Sequence, residues 1–218
     1  MKNQPVMILQ LNNHNVLHSE IVFEDNFKNN IANWEINKNL KEQSFIKDGY
    51  YWMENKDDHN WHYFKNVSPL KRGENFIIDT DIEIMSPDNI GHIGLVWGFD
   101  DKLEQLNRFC ISGDGDRLLV TNFERNNLSI FHRYQSWRQK IDTKMPIRLS
   151  IIKIDKYFHF LINEKLVYSC NGKHFTDRGP LFGYYIEPGI LIRSSKMKIT
   201  RLITKAVTDD SISQLLKN

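Results

Sequence analysis

The sequence contains little cysteine. Cys110 and Cys170 are the two cysteines among 218 residues, and they do not form a Cys-x-x-Cys pair. Two cysteines are too few for a disulfide framework or a four-cysteine zinc site. The sequence also has no His-Glu-x-x-His or His-x-His element that would indicate a zinc hydrolase. We therefore expect buried, reduced thiols and no cofactor.

An excess of one charge and a long apolar run are both missing. Lys and Arg number 29 against 27 Asp and Glu, and they are scattered along the chain. This pattern does not indicate nucleic-acid binding. The apolar stretch near the amino end, Val6 to Leu9, is too short for a secretory h-region or a membrane span. We therefore expect a cytoplasmic protein with no nucleic-acid or membrane partner.

Helical periodicity is scarce, and short alternating apolar runs take its place. They recur from about Ile21 to Thr204, separated by Gly, Asn, Asp and Pro clusters, which is typical of an all-β sandwich. Hydrophobic residues make up 40% of the chain, which is enough for one core. Strands are predicted at residues 76–84, 91–97, 108–112, 118–123, 129–134, 147–154, 157–162, 181–186 and 196–203. Turns are predicted at residues 114–116, 126–127 and 163–165.

The two ends of the chain differ from this pattern. Residues 1–20 are predicted to be an N-terminal extension, residues 21–204 the sandwich, and residues 205–218 a C-terminal tail. Within the tail, residues 208–217 are predicted to form a short amphipathic helix with Ile212, Leu215 and Leu216 on its apolar side. Such a tail can dock on the sandwich or bind a partner, and both alternatives stay open.

A series of short motifs recurs in a distinctive order along the chain. The motifs are Phe23-Glu24-Asp25-Asn26-Phe27, Trp34, Asp48-Gly49-Tyr50-Tyr51, Gly94-Leu95-Val96-Trp97-Gly98-Phe99-Asp100, Phe109-Cys110-Ile111-Ser112, Arg148-Leu149-Ser150-Ile151, Phe160-Leu161-Ile162-Asn163 and Leu181-Phe182-Gly183-Tyr184-Tyr185. With this series the chain resembles concanavalin A-like lectin/glucanase domains, with its closest likeness to small bacterial laminin-G-like members. The resemblance implies a jelly roll of two antiparallel sheets, one of them concave, with ligands lying across the concave face or on loops at its rim.

The resemblance spans glycan-binding and glycan-cleaving proteins, so catalysis needs its own test. Cleavage of a glycosidic bond usually needs two carboxyl groups that flank the bond. The related glucanases carry the pattern Glu-x-Asp-x-x-Glu, whereas this chain has Asp79, Asp81 and Glu83 without the first Glu and with another spacing. We interpret these acids as solvent-facing and predict no catalytic residue. A glycoside hydrolase remains the second alternative function.

The resemblance implies that a calcium site should be considered, because lectin-like sandwiches often hold calcium. A calcium ion binds six to eight oxygen ligands. The Asp114-Gly115-Asp116 run resembles half of a calcium loop, yet the further acidic ligands of such a loop do not follow it. Thr200 also stands where similar domains carry an acid on the last strand. We interpret residues 114–116 as a β-turn and predict no metal site.

Aromatic residues are plentiful, at 12%, and several lie in clusters around Trp52, Trp61 and Tyr134. Sugar sites commonly combine an aromatic platform with a few hydrogen-bonding groups. Trp34 and Trp52 are predicted to be core residues. If Phe109 faces the core, strand alternation places Arg108 on the opposite face, and the same parity applies to His132 and Tyr134 around Phe131. The predicted ligand-binding residues are Trp61, Tyr63, Trp97, Arg108, His132, Tyr134, Trp137 and Arg138.

These observations favour a non-catalytic module that binds a carbohydrate or a carbohydrate-like ligand in an exposed aromatic groove on the concave face. Trp, Tyr and Arg also dominate protein interfaces, so a protein–protein interaction domain is the first alternative.

Overall fold

The structure is a computed structural model of the chain, and most of it belongs to two antiparallel sheets. It describes residues 19–57, 60–67, 70–71, 73–86, 90–100, 105–124, 127–135, 140–175, 181–188 and 194–207. The strands in these ranges are β1 Ser19–Asp25, β2 Asn37–Lys38, β3 Glu42–Lys47, β4 Tyr50–Asn55, β5 His62–Val67, β6 Phe76–Ile84, β7 His92–Asp100, β8 Gln105–Ser112, β9 Arg117–Glu124, β10 Asn127–Gln135, β11 Ile147–Ile154, β12 Tyr157–Ile162, β13 Lys165–Asn171, β14 Leu181–Ile186 and β15 Ser195–Val207.

The two sheets have different strand orders. Sheet A has nine strands in the order β13-β12-β11-β6-β15-β4-β3-β2, and β1 also pairs with β15. Sheet B has six strands in the order β10-β9-β8-β7-β14-β5. Both sheets contain neighbours that are not consecutive in sequence, such as β6-β15 and β7-β14, so each sheet is assembled from distant parts of the chain. This two-sheet antiparallel arrangement confirms the predicted all-β sandwich.

The core lies between the sheets and is set by strand alternation. On β6, Ile78 and Ile82 face the core while Asp79 and Asp81 do not. Thr80 interrupts the apolar pattern in the sequence, yet it is buried with them. Its hydroxyl group lies 2.8 Å from the Tyr184 hydroxyl and donates a hydrogen bond to the Arg201 carbonyl oxygen at 2.9 Å. The buried hydroxyl group of Thr80 therefore has hydrogen-bond partners.

Trp34 fills one end of the core, as predicted. Its ring centroid lies 5.2 Å from that of Tyr51 in sheet A and 5.7 Å from that of Tyr184 in sheet B. The indole NH donates to Asp25 at 2.8 Å. The prediction for Trp52 is wrong. Its neighbours Tyr51 and Met53 face the core, so alternation turns the half-buried Trp52 to the outer face of sheet A.

Several predicted turns and strand bounds agree with the structure. Residues 147–154, 157–162 and 181–186 match β11, β12 and β14. Gly115 has φ +76° in the β8–β9 turn, and Asn163 and Glu164 have φ +48° and +66° in the β12–β13 turn. The predicted strands do not include β1, β2, β3, β4, β5 and β13. The predicted tail helix lies outside the described residues, and among those residues no helix is long and apolar enough to cross a membrane.

Candidate functional site

The candidate site lies on the face of sheet B that points away from the main core. Phe109 and Ile111 face the core, and Arg108 and Cys110 face the other side, which confirms the predicted parity of β8. Side chains on this second face form an apolar layer of their own. Its nearly fully buried members are Val96, Phe99, Leu106, Cys110, Leu119 and Tyr185. The floor of this face is therefore packed, and it differs from the exposed aromatic groove that was expected.

Ring contacts show that this face is concave. Trp61, just before β5, has its ring centroid 6.2 Å from that of Phe123 on β9. β5 and β9 are separated by β14, β7 and β8. Four strand spacings of about 4.8 Å would put them roughly 19 Å apart in a flat sheet. Their side chains therefore meet over a sheet that curves towards them.

Trp61 is the most exposed aromatic side chain among those described on this face. Trp61 is 38% exposed, and its ring lies 4.8 Å from Tyr63 and 5.9 Å from Tyr185. Together with Phe123, whose ring lies 6.2 Å away, these rings pack against the indole. We call Trp61, Tyr63, Tyr185 and Phe123 the aromatic shelf. It offers one open indole on a rigid base.

Two cations support rings of this face. The Arg108 guanidinium carbon lies 4.7 Å from the Tyr185 ring centroid, and its Nε donates to the Thr121 hydroxyl oxygen at 2.9 Å. Lys65 Nζ lies 5.0 Å from the Phe99 ring centroid. Arg108 is buried and contacts the Tyr185 ring. We therefore interpret Arg108 as a residue that positions Tyr185.

A carboxylate lies at the same end of the face as Trp61. His62 pairs with Ile186, so Trp61 and Glu187 occupy neighbouring positions just beyond this pair. Glu187 accepts hydrogen bonds from the Tyr185 hydroxyl at 2.9 Å and from the backbone NH of His92 at 3.0 Å. Its other close contact is with His92 Nδ1 at 2.6 Å. Because the Glu187 side chain is 30% exposed, a ligand can reach it.

The charge of Glu187 follows from these contacts. Its burial alone would raise the pKa of the carboxyl group. The hydrogen bonds and the charge of His92 outweigh that effect and lower the pKa to about 2. Glu187 is therefore ionised throughout the neutral and mildly acidic range, and it can accept hydrogen bonds from ligand hydroxyl groups.

Replacing Glu187 with glutamine is expected to make stability less sensitive to acid. The folded pKa of about 2 lies below the ordinary value of 4.5, so the carboxylate stabilises the fold above pH 4.5. This contribution, on the order of 3 kcal/mol, is lost as the pH falls from 4.5 towards 2. Urea unfolding of both proteins between pH 7 and pH 3 measures it. Equal pH profiles would contradict the expectation, and Glu20→Gln on the exposed part of β1 is the control.

The structure brings together three of the predicted ligand-binding residues, Trp61, Tyr63 and Arg108. The prediction for Trp97 is wrong, because its side chain packs in the main core with only 3% exposed. Period two along β7 places it on the same side as Ile93 and Leu95. His132 and Tyr134 belong to β10, but their side chains, like the whole of Trp137 and Arg138, lie outside the described residues.

Sequence reasoning missed Glu187, His92, Lys65 and Tyr185 as members of this face. Glu187 stands two residues after Tyr185, so continued alternation from β14 was a usable signal for it. His92 had no such signal, because its contact with Glu187 depends on the pairing of β7 with β14, and the two residues are 95 positions apart in the sequence.

The acids of β6 lie elsewhere. Asp81 accepts a hydrogen bond from Arg148 Nε at 3.0 Å, and Glu83 pairs with Lys198 Nζ at 2.7 Å. Both belong to sheet A, on the opposite side of the sandwich from the aromatic shelf. In the β8–β9 turn, Asp114 accepts a hydrogen bond from the backbone NH of Asp116, which is turn geometry. In the described part of the chain, no three His, Cys, Asp or Glu residues are grouped so that they could hold a metal ion.

Comparison with known proteins gives likenesses in structure. No family model and no curated protein matches the sequence. The carbohydrate-binding module CBM66 from Bacillus subtilis is similar over 70% of this chain and 86% of its own, with 15% identity and a TM-score of 0.53. A protein of unknown function with a galectin-like fold, also from Bacillus subtilis, is similar over 86% of this chain and 96% of its own, with 14% identity and a TM-score of 0.59.

A third protein of similar structure is a catalytic domain. The catalytic domain of an endo-1,3-beta-glucanase (laminarinase) from Thermotoga petrophila is similar over 89% of this chain and 100% of its own, with 10% identity and a TM-score of 0.60. At such identities the likeness shows the fold alone. The chain therefore has the concanavalin A-like jelly-roll fold, which binding modules and glycosidases share.

Proposed function

We propose that this protein is a carbohydrate-binding module that holds a sugar ring on Trp61 of the aromatic shelf. The observation that carries the proposal is the accessible Trp61 indole, which is fixed by neighbouring rings at 4.8 to 6.2 Å. A rigid aromatic face suits the apolar face of a sugar ring, because little conformational freedom is lost on binding.

Glu187 supplies the polar part of the same site. Its carboxylate is ionised and already accepts hydrogen bonds from Tyr185 and His92, so its orientation is fixed before a ligand arrives. Sugar hydroxyl groups donate to carboxylates in charge-assisted bonds, which are stronger than neutral ones. The names of the similar structures, which include a carbohydrate-binding module and an endo-1,3-beta-glucanase, support the choice of a carbohydrate as the ligand.

Binding without cleavage is the finer part of the proposal. Hydrolysis needs two carboxyl groups about 5 to 10 Å apart. Besides Glu187, which follows β14, the carboxylates within the strands of sheet B are Asp100 on β7 and Glu124 on β9, and the Glu124 side chain lies outside the described residues. Asp100 lies eight residues along β7 from His92, the partner of Glu187, which corresponds to roughly 26 Å at about 3.3 Å per residue. This separation is too large for a catalytic pair.

A glycan array probed with the purified chain tests the proposal. We expect retention of a group of related neutral glycans, and a β-1,3-glucan oligosaccharide is a suitable first probe in solution. A rise in the unfolding temperature with ligand concentration would be an independent sign of binding to the folded state. A blank array together with an unchanged unfolding temperature would overturn the proposal and favour the protein-interaction alternative.

The absence of cleavage has its own measurement. We expect no increase in reducing ends when the chain is incubated for a day with the glycans that it retains. Release of oligosaccharides that is lost in Glu187→Gln would contradict the non-catalytic part of the proposal and would leave the carbohydrate-binding part in place.

A further inference from the structure

A second pocket lies at the edge of sheet A, away from the aromatic shelf. It is formed by the β11–β12 turn, the end of β13 and the loop before β6, and its volume is about 530 Å³. Pockets of roughly 300 to 1,000 Å³ commonly hold small ligands. The lining residues are Gly73, Lys153, Asp155, Lys156, Phe158, Asn171, Gly172, Lys173 and Phe175. We call this the lysine pocket.

The lysine pocket has a positive charge. Lys153, Lys156 and Lys173 line it together with one acid, Asp155. Lys153 is buried, and its ammonium group donates to the carbonyl oxygens of Gly73 at 3.0 Å and Glu74 at 2.9 Å. Lys156 and Lys173 are exposed, so a ligand can reach both side chains. Lys156 Nζ lies 5.7 Å from the Tyr157 ring centroid. This arrangement suits an anionic ligand.

One wall of the lysine pocket is aromatic. Phe175 is partly exposed and packs on Phe158 with ring centroids 4.9 Å apart. Trp97 supports both rings from the core, at 5.5 Å from Phe175 and 6.0 Å from Phe158. A side chain at Gly172 would place a Cβ atom 2.3 Å from the Phe158 ring. Glycine at this position therefore allows the ring to form the wall.

We propose that the lysine pocket binds an acidic sugar, with its carboxylate or sulfate held by Lys156 and Lys173 and its ring against Phe175. The choice of a sugar as the body of the ligand rests on the proposed function, while the choice of an oxyanion rests on the lysines alone. Lysine ammonium groups form charge-assisted hydrogen bonds with either anion. The pocket is a second site, separate from the aromatic shelf.

Calorimetric titration with two disaccharides tests the proposal and separates the two anions. One probe is digalacturonate, and the other is a singly sulfated neutral disaccharide; the unsulfated form of the latter is the reference. We expect saturable binding of at least one acidic probe that weakens as the salt concentration rises, because salt screens accessible charges. The double variant Lys156→Gln/Lys173→Gln is expected to bind that probe at least about tenfold more weakly, because two charge-assisted bonds are lost.

A matched control removes the same charge elsewhere. Lys144 and Lys165 are exposed and lie outside the pocket lining, so Lys144→Gln/Lys165→Gln should bind the acidic probe like the wild type. Trp61→Ala should also leave this binding unchanged, which makes the outcome independent of the aromatic shelf. Equal affinities of the two double variants, or no saturable binding of either acidic probe by the wild type, would overturn the proposal. Acidic binding together with a blank neutral array would overturn the proposed function alone.

Discussion

Replacing Trp61 with alanine is expected to weaken neutral glycan binding about tenfold to thirtyfold with little loss of stability. A sugar ring that covers about 80 Å² of the indole gains roughly 2 kcal/mol at about 25 cal/mol per Å², and every 1.4 kcal/mol corresponds to about a factor of ten in affinity. Because Trp61 is 38% exposed in the unliganded protein, its removal should cost the fold only about 1 kcal/mol. Calorimetric titration with the retained glycans measures the first effect, and urea unfolding measures the second.

Trp52→Ala is the matched control for this experiment. Trp52 is also a half-buried tryptophan in contact with other rings, with Phe45 and Tyr50 both 6.0 Å away. It lies on the outer face of sheet A, so the same substitution there should leave glycan affinity within about twofold of the wild type. Trp61→Phe keeps part of the platform and should retain intermediate affinity. Full affinity in Trp61→Ala would show that the sugar binds elsewhere.

Strand alternation made the general fold and part of this face predictable. Parity along β8 correctly separated Phe109 from Arg108 because successive side chains of a strand point to opposite faces. The same rule, applied to β7 and β4, would have placed Trp97 in the core and Trp52 outside. Both predictions left period two out of account, and residues 50–55 of β4 were not predicted as a strand. The information needed for both residues was local, so the sequence contained it.

Other features of the site depend on long-range pairing. The His92–Glu187 contact needs β7 beside β14, and the Trp61–Phe123 contact needs sheet B to curve. The second apolar layer was also not predicted. Val96, Cys110 and Tyr185 lie on the face of sheet B that points away from the main core, and an open concave face would leave them exposed. A strand with apolar residues on both faces indicates burial on both sides. That signal in β7 and β8 argues for a packed floor and for a small accessible site at Trp61.

Replacing Trp34 with alanine is expected to lower the free energy of unfolding by about 3 to 5 kcal/mol, the usual cost of removing a large buried aromatic residue. Trp34 is 2% exposed, and its ring lies between Tyr51 of sheet A and Phe182 and Tyr184 of sheet B. Its loss opens a cavity where the two sheets meet. It also leaves Asp25 without the indole NH donor at 2.8 Å. Urea unfolding monitored by circular dichroism measures the change.

Trp34→Phe separates the two parts of this effect. Phenylalanine keeps most of the apolar contact with both sheets and removes the hydrogen bond to Asp25, so we expect a smaller loss of about 1 to 3 kcal/mol. Because Trp34 lies in the main core, the folded fraction of either variant should retain the glycan affinity of the wild type. A loss below about 1 kcal/mol in Trp34→Ala would show that the sheets are held together without this residue. Weakened binding in fully folded Trp34→Phe would show that the core and the concave face are coupled through β14, whose Tyr184 and Tyr185 face opposite sides.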